Sequence, residues 1–219
     1  SKQTMGDYLY KDVEAPNLDH PDSMIRLASV VHRFKLPKIC RKVNFVRSFS
    51  TVGGTEKTRK LMVAANDARE RMAEGLNADR VSAARTIVDT QRYEPLIHSI
   101  LLSCKVQPEH ARLDERLIFE WKSGIEEKPS AFRSEAMMYD LVMTVASHGL
   151  GYAYSATEKS VAGDFAAASR DYAAAAGVLH NLAEEQLPKW IAKGSNIKGD
   201  QLPIECQASV CGALTTLMM

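Results

Sequence analysis

The chain has 219 residues, 45% of them hydrophobic and 25% charged, with a net charge of +1. That length can bury a substantial core within one domain, and a charge near zero offers no global field to select nucleic acid or another polyanion. No apolar run reaches the roughly 18 to 20 residues of a membrane span. The polar, acidic start is neither a signal nor a transit peptide, and Tyr10 stands where a Met5-Gly6 myristoylation signal would need Ser or Thr. The four cysteines, Cys40, Cys104, Cys206 and Cys211, include no C-x-x-C pair. They read as reduced, partly buried thiols in a reducing compartment.

In chain order, residues 1–24, with Pro16 and Pro21, read as an extended arm, and 25–219 as one helical domain. Stretches 30–36 and 43–49 read as short strands on either side of Pro37. After a loop at 50–55, a helix is expected from 56 to about 75, with Leu61, Ala65, Ala68 and Met72 at three- and four-residue steps. A second helix is expected over about 79–91. A third is expected over about 95–105, with Pro95 in its first turn. The alternation of apolar and charged residues in 113–122 predicts a strand that joins the earlier ones in a small sheet.

From Ser130 onward the chain reads as helical. Ser130 is placed to cap a long helix to about Lys159, with Phe132, Met137, Leu141, Val145, His148 and Tyr152 along one face. Asp164 is placed to cap the next, which is expected to end at Gln186 before Pro188. Its inward stripe is Phe165, Ala168, Tyr172, Ala175, Leu179 and Leu182. A last helix is expected over about 203–219. The pattern Leu150-Gly151-x-x-Tyr154, then Gly163-Asp164-Phe165-x-x-Ala168-x-x-x-Tyr172-x-x-Ala175, has the residue types of a tetratricopeptide-type hairpin, with 154–163 as an unusually long loop. Small residues let two helices approach, and aromatics fill the remaining gap. The fold class is therefore mainly α: tetratricopeptide-like helical hairpins with a small antiparallel sheet near the N-terminal end. Such pairs commonly build protein-binding surfaces.

Several motifs have a simpler reading beside the functional one. Gly53-Gly54-Thr55-Glu56-Lys57-Thr58 lacks the glycine spacing of a phosphate loop and reads as a loop whose Thr55 caps a helix. His148, His180, Glu184 and Glu185 lack metal-site spacing; His180 and Glu184 read as a hydrogen-bonded pair at the core edge. No nucleophile–base set stands out, so neither a catalytic residue nor a cofactor is expected. Residues 33–60 hold nine basic side chains against one acid, Glu56. That stretch is either a surface for anionic lipid headgroups or a solvated sheet edge guarded against strand addition. The alanines of 166–168 and 173–176 serve close helix packing, or leave room for an incoming partner helix.

The segment Leu117-Ile118-Phe119-Glu120-Trp121-Lys122 resembles the strand that precedes a long helix in Bro-type domains, the Alix-like proteins of endosomal sorting. Ala153-Tyr154, Ala168-x-x-x-Tyr172-x-x-Ala175-x-Gly177-x-Leu179, Asn181, Glu184 and Leu187-Pro188-Lys189 are similar to the hairpin that follows it there. Phe34-Lys35-Leu36-Pro37-Lys38 resembles the plant and Brox-like branch. The resemblance spans about 30–219 and is most specific from 115 onward. It implies a curved, non-enzymatic helical domain that receives the amphipathic C-terminal helix of an ESCRT-III-type subunit. It further implies a basic face on an endosomal membrane and a cytoplasmic location peripheral to it. Bro-type domains are longer, so the domain is expected to continue past Met219, with most of the partner-binding patch beyond that point. By the resemblance, Ala162, Ala166, Arg170, Leu214 and Met218 carry the near margin of that patch, and Arg33, Lys35, Lys38, Arg41 and Lys42 face the membrane. The alternative is a structural scaffold subunit of a larger assembly, for instance an organellar one, that keeps half of the fold and contacts neighbouring subunits.

Overall fold

A computed structural model describes residues 35–51, 55–106, 111–113, 117–192 and 202–219. The expected arm over 1–24, most of the expected strand at 30–36, and Arg33 lie outside these residues. The described chain is mainly helical, with a small three-stranded antiparallel sheet near its N-terminal region. Its elements are β1 (Lys38–Ile39), α1 (Phe45–Ser48), β2 (Phe49–Thr51), α2 (Glu56–Asn77), α3 (Ala83–Val106), β3 (Ala111–Leu113), β4 (Phe119–Lys122), β5 (Ala131–Ser134), α4 (Met137–Val161), α5 (Phe165–Asn181), α6 (Leu187–Ala192) and α7 (Ala208–Met218). A π turn, Leu182–Gln186, joins α5 to α6, and a 3-10 turn, Ile204–Cys206, precedes α7.

The sheet order is β1-β4-β5, with Ile39 opposite Trp121 and Trp121 opposite Phe132. A second ladder pairs β2 with β3. Along β4, Phe119 and Trp121 are fully buried while Lys122 is exposed, so alternation puts one face on the helices. Stretch 43–49 forms the one-turn helix α1, capped by the Asn44 side chain, before β2 begins. This replaces the expected strand. The phenyl ring of Phe45 is buried against Phe119, which a helical turn achieves at this corner.

The long helices follow their apolar periodicity. The Thr55 hydroxyl caps α2 by accepting from Thr58 N at 3.3 Å, and Met62, Ala65, Met72 and Leu76 form its buried stripe. The two helices expected at 79–91 and 95–105 are one, α3, with Pro95 inside it. Thr86, Tyr93, Ile97 and Ile100 carry a single buried stripe past the exposed Pro95. That continuous burial outweighs the cost of an interior proline, about 3 kcal/mol.

The helix expected from Ser130 begins at Met137, because 131–134 instead form β5 on the open side of β4. Phe132 is therefore a strand residue rather than part of the helical stripe. Helix α4 is buried on nearly every side between 139 and 147, which makes it the central element. It lies between α3 and α5, antiparallel to both. An added Cβ on Gly151 would sit 3.2 Å from Thr86 Cγ2 of α3, and one on Gly149 would sit 2.9 Å from Leu179 Cγ of α5.

The expected 154–163 loop is helical through Val161. Gly163, at φ +84°, then ends α4: its N–H reaches Ser160 O, and Asp164 N reaches Lys159 O. Asp164 caps α5 by accepting from Ala167 N at 3.0 Å. The two extra turns of α4 are held by Ser155 Oγ and Lys159 Nζ, both donating to Asp171 Oδ2 on α5. Pro188 does not end the helical course. The widened π turn supplies Leu187 N to Leu182 O and accommodates a residue that has no N–H of its own.

Candidate functional site

Helix α5 uses one arc, Ala168, Ala175 and Leu179, to pack on its neighbours. A second arc borders an open groove of about 670 Å³ between α5 and α7. Ser169, Ala173 and Gly177, each four residues apart, line that groove and form a strip of small side chains along the helix. Phe165 and Tyr172 stand beside the strip on α5, and Met218 faces it from α7. Phe165 is 60% exposed, a large aromatic left in water where α5 begins. The Tyr172 hydroxyl is satisfied by Thr157 Oγ1 at 3.2 Å, so the ring presents an apolar edge with its polar end already occupied. Among the described residues no acid, lysine or arginine lines the groove, and His180 is its one titratable nitrogen side chain. Its chemistry is the burial of apolar side chains, with room for close backbone approach over the small strip.

Of the residues that the Bro-type resemblance points to, Met218 lines this groove. Ala166 and Arg170 are exposed on α5 and are not among the residues that line the groove. Ala162 is exposed in the turn that closes α4. Leu214 is 1% exposed and belongs to the core, so no partner side chain reaches it in this conformation. Ala173 is one of the alanines read as leaving room for a partner helix; Ser169 and Gly177, which complete the strip, were missed, although the small-residue spacing of four is plain in the sequence.

The basic stretch lies at the opposite, sheet-bearing part of the chain. Lys35, Lys38, Arg41 and Lys42 are exposed, and Lys38 stands opposite Lys122 in the β1–β4 ladder. Lys42 forms an ion pair with Glu70. Arg41 and Lys42 line a polar cleft of about 750 Å³, and Asp67, Glu70 and Glu74 of α2 line the same cleft. Lys35, Lys38 and Lys122 are exposed and do not line that cleft.

Two buried polar centres escaped the sequence. Arg69, Tyr93 and Trp121 converge on Asp140, and Glu205 is held by the turn at 123–125. Each carboxylate sits singly in an apolar run, Met-Met-Tyr-Asp140-Leu-Val and Pro-Ile-Glu205-Cys, which was the available signal. Both are closed inside the core. The expected His180–Glu184 pair does not form: both side chains are exposed, and the π turn starting at Leu182 changes the spacing that would align them. His148 Nδ1 instead lies 3.6 Å from Glu94 on α3. Among the described residues no group of three or more His, Cys, Asp or Glu side chains is arranged to hold a metal ion, and no helix is long and apolar enough to cross a membrane. The chain matches no protein-family model, no curated protein and no solved structure.

Proposed function

We propose that this chain is a non-enzymatic protein-interaction module that receives the apolar face of a partner's amphipathic helix in the α5–α7 groove. The carrying observation is the groove itself: a strip of small side chains, Ser169, Ala173 and Gly177, flanked by the larger Phe165, Tyr172 and Met218. A helix laid on small residues approaches closely and buries its own large side chains against the flanks. Supported by the Bro-type resemblance, the partner is the C-terminal helix of an ESCRT-III-type subunit. Lys35, Lys38 and Lys122 then supply attraction to an anionic endosomal surface, on the order of 1 kcal/mol each near the membrane.

The test is titration of a labelled amphipathic peptide of that class into the chain and into Ala173→Glu. Position 173 is exposed, so the variant keeps the fold while placing a charge on the groove floor. Wild type is expected to bind and Ala173→Glu to lose at least about tenfold, the effect of burying an unpaired charge. Failure of the wild-type chain to bind any such peptide overturns the reading. For the membrane part, a charge-reversed Lys35→Glu/Lys38→Glu chain is expected to release anionic vesicles at lower salt than wild type.

A second reading, a scaffold subunit in a larger assembly, is favoured by one observation. Val161, 80% exposed, and Phe165 extend apolar surface beyond the start of α5, where a neighbouring subunit would cover both. Stoichiometric companion chains retained on native purification, with those two residues protected, support it over the peptide reading.

A further inference from the structure

The segment 202–219 supplies one wall of the groove, and its attachment is almost wholly apolar. Leu202, Val210, Leu214 and Met218 are buried and seat it on α5 and the π turn. Among the described residues its backbone hydrogen bonds close on itself, from Cys206 N to Pro203 O through to Met219 N to Thr215 O. Its threonines and the Cys211 thiol likewise donate within the segment. Among the described residues two polar ties leave it. One is the Cys206 thiol on the Met143 thioether at 3.4 Å, a weak contact. The other is Glu205.

Glu205 is 1% exposed. Its Oε1 accepts from Ser123 Oγ at 2.8 Å, Gly124 N at 2.6 Å and Ile125 N at 3.3 Å. The seat is preformed. Ser123 Oγ also accepts from Ile125 N at 3.1 Å and Glu126 N at 2.9 Å, which fixes the turn. Gly124 is required there, since an added Cβ would lie 1.8 Å from the Lys35 carbonyl oxygen. The other oxygen, Oε2, is buried and has no hydrogen-bond partner among the described residues.

We infer that 202–218 is a separately releasable wall of the groove, and that Glu205, seated in the 123–126 turn, is the pin that holds it closed. Apolar packing tolerates small shifts of one helix along another, whereas three donors converging on one oxygen accept a single position. A segment tied by packing and one pin opens as a unit at lower cost than helices laced together by their neighbours on both sides. α4 is such a helix, and 202–218 is not. The consequence for a partner rests on the groove reading: with the pin seated, the groove is preformed, and with the pin lost, the α7 wall moves.

Hydrogen exchange of the full chain, compared with Glu205→Gln and Ser123→Ala, tests this. In wild type, amides of 208–218 are expected to exchange faster than those of α4. In Glu205→Gln they are expected to accelerate at least about tenfold further, with α2 to α4 changed by less than about twofold. Ser123→Ala keeps the Glu205 carboxyl and both backbone donors; it is expected to accelerate the same amides by a smaller factor, and it serves alone if Glu205→Gln does not fold. Equal acceleration in every helix, or unchanged exchange at 208–218, overturns the inference. Peptide titration on the same proteins separates it from the groove reading. Local opening at α7 with no peptide binding to any of the three chains leaves the pin standing and removes the groove as a docking site.

Discussion

The Arg69 guanidinium grips the Asp140 carboxylate with two parallel hydrogen bonds, Nε to Oδ2 at 3.1 Å and Nη2 to Oδ1 at 3.0 Å, where both side chains are almost fully buried. Tyr93 Oη donates to Oδ2 at 2.6 Å and Trp121 Nε1 to Oδ1 at 2.7 Å, so α2, α3, β4 and α4 meet at one carboxylate. Arg69 Nη1 also donates to the Arg41 carbonyl, and the guanidinium lies over the Phe119 ring at 5.6 Å. Burial by itself would weaken the Arg69 charge and is the largest single influence on it, but Asp140 and Tyr93 together outweigh it and hold the group charged. Burial and then Asp140 push the Tyr93 phenol well above its ordinary range, which keeps it a donor.

Asp140→Asn is expected to cost about 3–5 kcal/mol, because it leaves a buried guanidinium without its counter-charge. An apolar Arg69→Met/Asp140→Leu pair does not restore stability. Tyr93 and Trp121 lose their acceptor in that variant, at about 1–3 kcal/mol for each orphaned donor. Urea unfolding of the single and double variants checks both statements, and recovery of wild-type stability in the double variant contradicts the shared role of Asp140.

The glycines of the α4–α5 hairpin divide by what surrounds them. Gly149→Val is expected to cost about 1–3 kcal/mol, since even a Cβ there meets Leu179 Cγ at 2.9 Å. Gly177→Ala is expected to gain about 0.5–1 kcal/mol, because nothing lies within 4 Å of the added carbon and alanine suits a helix interior better. Thermal unfolding of the two variants should therefore shift in opposite directions.

Local signals in the chain were legible where one residue decides the outcome. The caps at Thr55 and Asp164 and the course of α2 stand as read from the sequence, whereas of the single strand expected over 113–122, Phe119–Lys122 forms β4 in one sheet and Leu113 ends β3 in another ladder. Expectations failed where tertiary context decided. Pro95 and Pro188 look like helix boundaries, yet a continuous buried stripe in one case and a π turn in the other carry the chain past them. Ser130 looks like a cap, yet β4 offers an unpaired edge that draws 131–134 into the sheet. Leu214 is expected on the near margin of a partner patch, yet α7 packs on α5 and the π turn and closes it into the core. Of the groove, the small strip and Met218 were visible as residue types; which arc of α5 stays open depends on where α7 docks, and no local pattern encodes that.

Burial makes Cys206 and Cys211 poor nucleophiles. It raises the Cys206 thiol well above its ordinary range and, with the nearby Glu205 carboxyl, pushes Cys211 up to about 12. A thiol reagent at pH 8 is expected to label the exposed Cys40 of the native chain and to reach Cys206 and Cys211 only on opening or denaturation. Peptide mapping after brief labelling reads this directly. Modification of Cys211 as fast as Cys40 contradicts the packing of α7.

Glu205 gives the chain a specific acid dependence. Burial raises its carboxyl above the ordinary value of 4.5, and the Ser123, Gly124 and Ile125 donors only partly offset that. The Tyr139 phenol and the Cys206 and Cys211 thiols beside it are neutral near pH 7, their own values raised by burial, so none adds a charge beside it. A carboxyl whose folded value lies above its unfolded one takes up a proton on folding between the two. Its contribution is complete below about pH 4.3 and declines as pH rises through the folded value. The stability of wild type relative to Glu205→Gln is therefore expected to be greatest near pH 4 and to fall toward pH 7. Unfolding midpoints of the two chains over that range check the sign. A wild-type advantage that instead grows toward neutrality means that the three donors outweigh burial and hold the carboxylate ionised in its seat.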